Sequence, residues 1–215
     1  MTDNSSFDYE NKFYETCDNS RIAKIISHYE LFKMSINVPG EIIECGVFKG
    51  SSFIRLASFR NIFSLDHSKR LIGFDTFGKF PKTTFDSDKE NLKKFLLEAG
   101  ENSITKKRLM EIMKKKKINQ NLELVQGDIN ETIPQYIKKH PELKISFLNV
   151  DVDIYEPSVV ILENLFPKIS KNGIIVFDDY AKFAGETKAV DDYFLEKDFE
   201  IQQIAYSKSA CYIKK

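Results

Sequence analysis

Apolar positions along this chain fall into short runs, each closed by an acidic residue or a glycine. Glu41-Ile42-Ile43-Glu44-Cys45-Gly46 reads as a strand that breaks into a turn. Similar strands follow at Arg70-Leu71-Ile72-Gly73-Phe74-Asp75, Leu122-Glu123-Leu124-Val125-Gln126-Gly127-Asp128, Ile145-Ser146-Phe147-Leu148-Asn149-Val150-Asp151 and Gly173-Ile174-Ile175-Val176-Phe177-Asp178. Near-continuous apolar runs of this length suit strands covered on both faces, as in a parallel sheet.

Helical spacing alternates with these strands. Residues 21–34 carry Ile22, Ile25, Ile26, Tyr29 and Phe32 on one stripe. Residues 51–59 open with two serines and then run apolar. Residues 158–169 follow Pro157, a favoured first-turn residue, and residues 188–195 form a shorter segment. The alternation predicts an α/β fold, a doubly wound and mostly parallel sheet, in one domain over residues 1–215. It stops near the C-terminus, where residues 199–205 and 210–213 both read as strands around a turn at 206–209. No crossover helix fits there, so this pair must be an antiparallel hairpin, completing a seven-stranded sheet.

Two stretches stand outside the pattern. Residues 1–37 form an N-terminal helical segment, and residues 79–121 form a helical insertion between two strands. The insertion is longer than an ordinary crossover, with helical patterns over 92–99 and 105–117 around Gly100. It reads either as two solvated crossover helices or as a mobile lid over a site.

Composition narrows the partners. Hydrophobic residues make up 42% of the chain, enough to bury a core and exclude disorder throughout. The 32 basic and 32 acidic side chains cancel, which argues against nucleic acid held by bulk charge. No apolar run approaches a membrane span, and the polar, acidic start is no signal peptide. Cys17, Cys45 and Cys211 are odd in number and lack metal-site spacing, which fits reduced thiols in a cytoplasmic protein. His28 and His140 sit in helical patterns and His67 in a loop, and all three read as structural or solvated.

Candidate chemistry gathers at the strand ends. Glu44-Cys45-Gly46-Val47-Phe48-Lys49-Gly50-Ser51-Ser52 links a strand to a helix through two glycines. Such a turn lets a ligand approach the backbone, and the helix N-terminus favours an anionic group. It lacks the spacing of a dinucleotide or phosphate loop, and a plain tight turn explains it equally well. Asp75 closes the next strand, where an acid in doubly wound folds meets ribose hydroxyls. Glu44 beside the turn would repel pyrophosphate and attract a cationic aminoacyl tail, which favours S-adenosylmethionine over NAD. Asp128 is placed either at an adenine edge or as a helix cap. Asp151, Asp178 and Asp179 close two further strands, and carboxylates that converge need a cation or a shared proton. Neither 151–156 nor 178–181 contains Lys or Arg, so the charge needs another partner. All-oxygen ligands favour Mg²⁺ or another hard divalent cation.

Taken in order, these segments resemble the macrocin O-methyltransferase family. The stretches that carry the likeness are Val38-Pro39-Gly40-Glu41 leading into Glu44-Cys45-Gly46-Val47, Gly73-Phe74-Asp75-Thr76-Phe77 with Pro81, and Gly127 with Glu131-Thr132-Ile133-Pro134. They continue through Asp151-Val152-Asp153-Ile154-Tyr155-Glu156, the run from Gly173 to Tyr180, and Lys188-Ala189-Val190-Asp191-Asp192-Tyr193. The resemblance implies a class I methyltransferase fold, S-adenosylmethionine, a divalent metal, a sugar or sugar-conjugate acceptor, and a homo-oligomer. Carried over by position, Glu44, Gly46 and Ser51 would surround the methionine moiety and Asp75 would hold the ribose. Asp151, Asp178 and Asp179 would hold the metal, with Asp151 also taking the acceptor proton and Asp153 its rival. Asp128 stands where an aromatic residue is common in the family, and the 79–121 insertion matches no anchored pattern. A metal-independent methyltransferase, a nicotinamide-dependent oxidoreductase and a non-catalytic binding domain stand as alternatives.

Overall fold

The computed structural model describes residues 5–207 and 210–215, so part of the turn expected at 206–209 lies outside the described residues. Strands β1 (Glu41–Cys45), β2 (Leu71–Asp75), β3 (Leu122–Gln126), β4 (Ile145–Val150), β5 (Ile169–Phe177), β6 (Gln202–Gln203) and β7 (Cys211–Lys214) form one sheet in the order β3-β2-β1-β4-β5-β7-β6. Every pair from β3 to β5 is parallel, and β7 runs antiparallel to both β5 and β6. The expected class I methyltransferase outline is therefore present. The order reverses between β1 and β4, where Glu44 pairs with Asn149 and Cys45 with Val150. Crevices of open α/β sheets form at such a reversal.

Helices cover both faces. α6 (Ile129–Lys139), α7 (Tyr155–Leu165) and α8 (Ala184–Phe194) pack on one face against Ile43, Cys45 and Leu148. α2 (Asn19–Met34), α3 (Ser51–Ile62) and α5 (Lys106–Lys115) pack on the other against Ile42, Phe147 and Val176. The period of two along β1 thus sends Ile43 and Cys45 to one layer, and Ile42 and Glu44 to the other.

Several boundaries move relative to the sequence pattern. α7 begins at Tyr155, ahead of the expected 158, because Pro157 sits in its first turn, where a missing N–H costs nothing. α8 begins at Ala184; Gly185, a poor helix former, disguises its start. On α2 the fully buried face carries Ser27, His28, Leu31 and Phe32, while Ile26, counted in the apolar stripe, is exposed. The insertion holds α4 (Asp86–Ala99) and α5, with unequal roles. α5 buries Leu109 and Met113 and is a crossover helix. α4 buries only Asp88 and Leu92 and lies toward the crevice. α1 (Ser6–Thr16) buries no residue.

Candidate active site

A cavity of 1130 Å³ opens at the carboxyl ends of β1, β2, β4 and β5. Small-molecule pockets usually hold about 300–1,000 Å³, so there is room for two ligands side by side. Its walls are the turn after β1, the first half of α2, the strand-end acids, and Phe80 and Phe95 from the insertion.

The glycine turn is positioned by close approach. Gly46 has φ 89°, and a Cβ there would lie 1.7 Å from the Asp151 carbonyl oxygen. Only glycine lets the end of β1 pass the end of β4. Gly50, φ 87°, starts α3 without a side-chain cap, so the first-turn N–H groups stand open where Ser51 lines the cavity. A carboxylate suits that position.

Asp75 lines the same wall, but its oxygens serve the turn. Oδ2 accepts from the Val47 and Phe48 N–H groups, both at 2.9 Å, and Oδ1 accepts from Phe77 N–H at 2.6 Å. Thr76 Oγ1 lies 3.4 Å from Oδ1, so the carboxylate's acceptor sites are engaged by the chain itself. Asp75, expected at the ribose, lines the cavity and also supports the turn.

Glu44 departs from expectation for a reason of strand parity. It faces the α3 side, fully buried, and is absent from the cavity wall. Asn149 Nδ2 donates to it at 3.0 Å, and burial pushes its carboxyl up to about 7. It lies behind the cavity wall, beneath the turn. Asp128 is exposed on the rim and caps α6, accepting from Asn130 N–H at 2.8 Å.

On the other wall, Asp151, Asp153 and Asp179 each present an oxygen within 4.8 Å of the others. Burial raises all three carboxyls, and their mutual charge adds to it: Asp151 and Asp179 stand well above the usual range and Asp153 at about 7. Asp179 Oδ2 is buried with no hydrogen-bond partner. Asp153 is held at φ 63°, a conformation that costs a non-glycine residue energy and clusters at functional sites. An orphaned buried oxygen among converging carboxylates fits a hard divalent cation.

Asp178 does not join that group. Burial would raise it, but a hydrogen bond from His28 and the charge of Lys24 outweigh burial and hold it below the usual carboxylate range. Lys24 binds Oδ2, and His28 Nε2 lies 3.3 Å from Oδ1. Arg55 can only donate, so its contact with His28 Nδ1 at 3.2 Å leaves the ring proton on Nε2, aimed at Asp178. The cation that the strand-end segments lack thus arrives from α2. Of the metal ligands expected, Asp151 and Asp179 share that group with Asp153, and Asp178 lies on the same cavity wall, paired with Lys24 and His28.

The sequence reading passed over Lys24 and Glu186 and took His28 as structural or solvated. Lys24 and His28 lie four apart on α2, one face of a helix whose apolar stripe concealed them. Glu186, fully buried in the first turn of α8, accepts from Asp179 N–H at 3.0 Å. Its signal was an acid three residues after an apolar N-cap, Phe183.

Comparison with known proteins agrees with this geometry. A solved structure of CalS11, described as a calicheamicin methyltransferase, superposes with a TM-score of 0.76 at 23% identity, over 99% of this chain and 86% of that one. A tetracenomycin-type rhamnosyl 4'-O-methyltransferase of Streptomyces olivaceus is 28% identical over 160 residues, 73% of this chain and 58% of that protein. A demethyldecarbamoylnovobiocin O-methyltransferase of Streptomyces niveus is 24% identical over 180 residues, 82% of this chain and 66% of that protein. The chain therefore spans about three fifths to two thirds of these curated relatives. The macrocin O-methyltransferase (TylF) family matches over residues 14–215, nearly the whole sequence, and the chain belongs to that family.

Proposed function

We propose that this protein is an S-adenosylmethionine-dependent O-methyltransferase that acts on a hydroxyl of a sugar or sugar-bearing metabolite. The observation that carries this reading is one cavity with two unlike walls: a backbone turn with open N–H groups, and a cluster of carboxylates. The curated relatives, both named as O-methyltransferases of antibiotics, support the substrate class. With that class come a small-molecule acceptor, a cytoplasmic location and a homo-oligomer.

In this reading the α3 N-terminus, with Ser51, receives the carboxylate of the methionine tail, and the Gly46 turn lets the cofactor lie against the main chain. S-adenosylmethionine supplies a methyl group already activated on a sulfonium. Asp151, Asp153 and Asp179 would hold Mg²⁺ or a similar cation, which lowers the pKa of a bound hydroxyl and orients it. Lys24 and His28 keep Asp178 ionised and fixed behind the cluster. Asp153 takes the acceptor proton. Asp153 lines the cavity with a carboxylate oxygen beside those of Asp151 and Asp179. Asp151 has the neighbouring charges of Asp178, Asp179 and Glu44, and is better suited to a cation than to a proton in transit. This reading prefers Asp153 to Asp151, the base expected from the sequence.

Calorimetry with S-adenosylhomocysteine, NADH and Mn²⁺ tests the reading, together with methyl transfer from labelled cofactor to a panel of deoxysugar glycosides. Asp153→Asn should lose about 10²–10⁴-fold in kcat, the scale of a lost general base, and bind Mn²⁺ more weakly, while binding the cofactor product as the parent does. Asp151→Asn should lose Mn²⁺ binding. NADH binding in place of the cofactor product would sink the methyltransferase reading. Full activity after chelation would leave a metal-independent enzyme.

A further inference from the structure

Three helices meet beside the acid cluster, and none has a side-chain cap of its own. The N-cap residues of α4, α7 and α8 are Phe85, Ile154 and Phe183, which cannot accept a hydrogen bond from their first turns. Each helix nonetheless carries an acid in its first turn: Asp88, Glu156 and Glu186. Two of these acids, Glu156 and Asp88, cap across helices. Glu156 accepts from Thr84 N–H at 2.6 Å and Phe85 N–H at 3.2 Å, closing the start of α4. Asp88 returns the contact twice. Its Oδ2 accepts from Tyr155 N–H at 3.0 Å, and its Oδ1 from Gly185 N–H at 2.7 Å.

Those two N–H groups lie in the first turns of α7 and α8, where the loops that carry the site end. Tyr155 lies two residues after Asp153, and Gly185, in the first turn of α8, follows the loop of Asp178 and Asp179. One fully buried carboxylate therefore spans the β4–α7 and β5–α8 connections, one oxygen on each. Gly185 makes the span possible: a Cβ there would lie 2.0 Å from Asp88 Oδ2 and 2.5 Å from Tyr155 N.

We propose that Asp88 is a positioning residue for the reaction, fixing the distance between the loop of Asp151 and Asp153 and the loop of Asp179. It rests on the reading of these acids as the reacting half of the site, and it assigns the insertion a role beyond cover. Asp88 and Glu156 pin the start of α4 to the site floor, so any opening of the insertion takes place toward Gly100 and the Phe80–Phe95 contact, where ring centroids lie 6.0 Å apart.

The test compares Asp88→Ala with Leu92→Ala, which loosens the same helix through its other buried residue and leaves the carboxylate in place. Hydrogen exchange in Asp88→Ala should rise at least tenfold in both 151–155 and 179–186, with 46–51 unchanged. Mn²⁺ affinity should fall at least tenfold while S-adenosylhomocysteine affinity stays within twofold. Leu92→Ala should lower the melting temperature without either change. Gly185→Ala should reproduce the Asp88→Ala pattern from the opposite side. Asp88→Asn, with one acceptor oxygen in place of two, should loosen one loop and serves as the reference should Asp88→Ala not fold. Parent-like exchange in either loop of Asp88→Ala, or equal loosening of both loops by Leu92→Ala, would overturn the proposal. A parent that binds no Mn²⁺ would remove the cation reading alone, and the exchange comparison would still decide Asp88.

Discussion

On the β1–β2 side the cavity wall is main chain. Gly46 and Gly50 bend it, Asp75 ties three of its N–H groups, and the first-turn N–H groups of α3 stand open to the cavity. On the β4–β5 side the wall is side-chain charge. Four aspartates share a small volume, and the groups that make this tolerable come from α2, α4 and α8. A neutral wall can be specified by a short motif. A charged wall must be balanced by whatever the fold brings to it, since buried like charges repel strongly in a medium of low polarity.

The point where the walls touch offers the harshest test. Gly46→Ala forces a Cβ against the Asp151 carbonyl, and we expect a loss of about 4 kcal/mol or more in chemical denaturation, since that contact is with backbone and cannot relax. A variant of ordinary stability would mean the two walls are not in contact there. Next comes the charged wall alone. Lys24→Met leaves the buried Asp178 without its ammonium partner, at a cost of about 2–4 kcal/mol. Its melting temperature should recover more than the parent's when Mg²⁺ is added, and an identical Mg²⁺ response in both would separate Lys24 from the cluster. On the neutral wall, Asp75→Ala releases the turn and should weaken S-adenosylhomocysteine binding by about 1–3 kcal/mol in calorimetry, leaving Mn²⁺ affinity as it was. Loss of both affinities would erase the distinction between the walls.

The smallest effect concerns Glu44, between them. Its folded carboxyl stands at about 7 against an ordinary 4.5, so the fold favours its neutral form. That contribution is complete below the ordinary value and is lost as pH rises through 7. Glu44→Gln should therefore melt with the parent at pH 4 and a few degrees above it at pH 8. Coincident melting curves at both pH values would show that Glu44 stays ionised.

Much of this was legible along the chain. The runs ending at Cys45, Asp75, Gln126, Val150 and Phe177 all became parallel strands, because residues buried on both faces leave continuous apolar signatures. The glycine turn and the acids at strand ends were legible for the same local reason. The α2 face was misread, since Ser27 and His28 are buried there while Ile26 is exposed. Polar burial of that kind makes sense only with Asp178 on the other side, and 150 residues separate His28 from Asp178.

The sequence by itself determined the strand order's ingredients, the antiparallel end, the family resemblance and the presence of an acidic centre, because each is written in local spacing and residue type. The tertiary structure decided which acids share a volume, which is paired with Lys24, where Glu44 points and what Asp88 holds. Those outcomes depend on distances between segments far apart in the chain, and charge balance inside a fold is set by such distances rather than by composition.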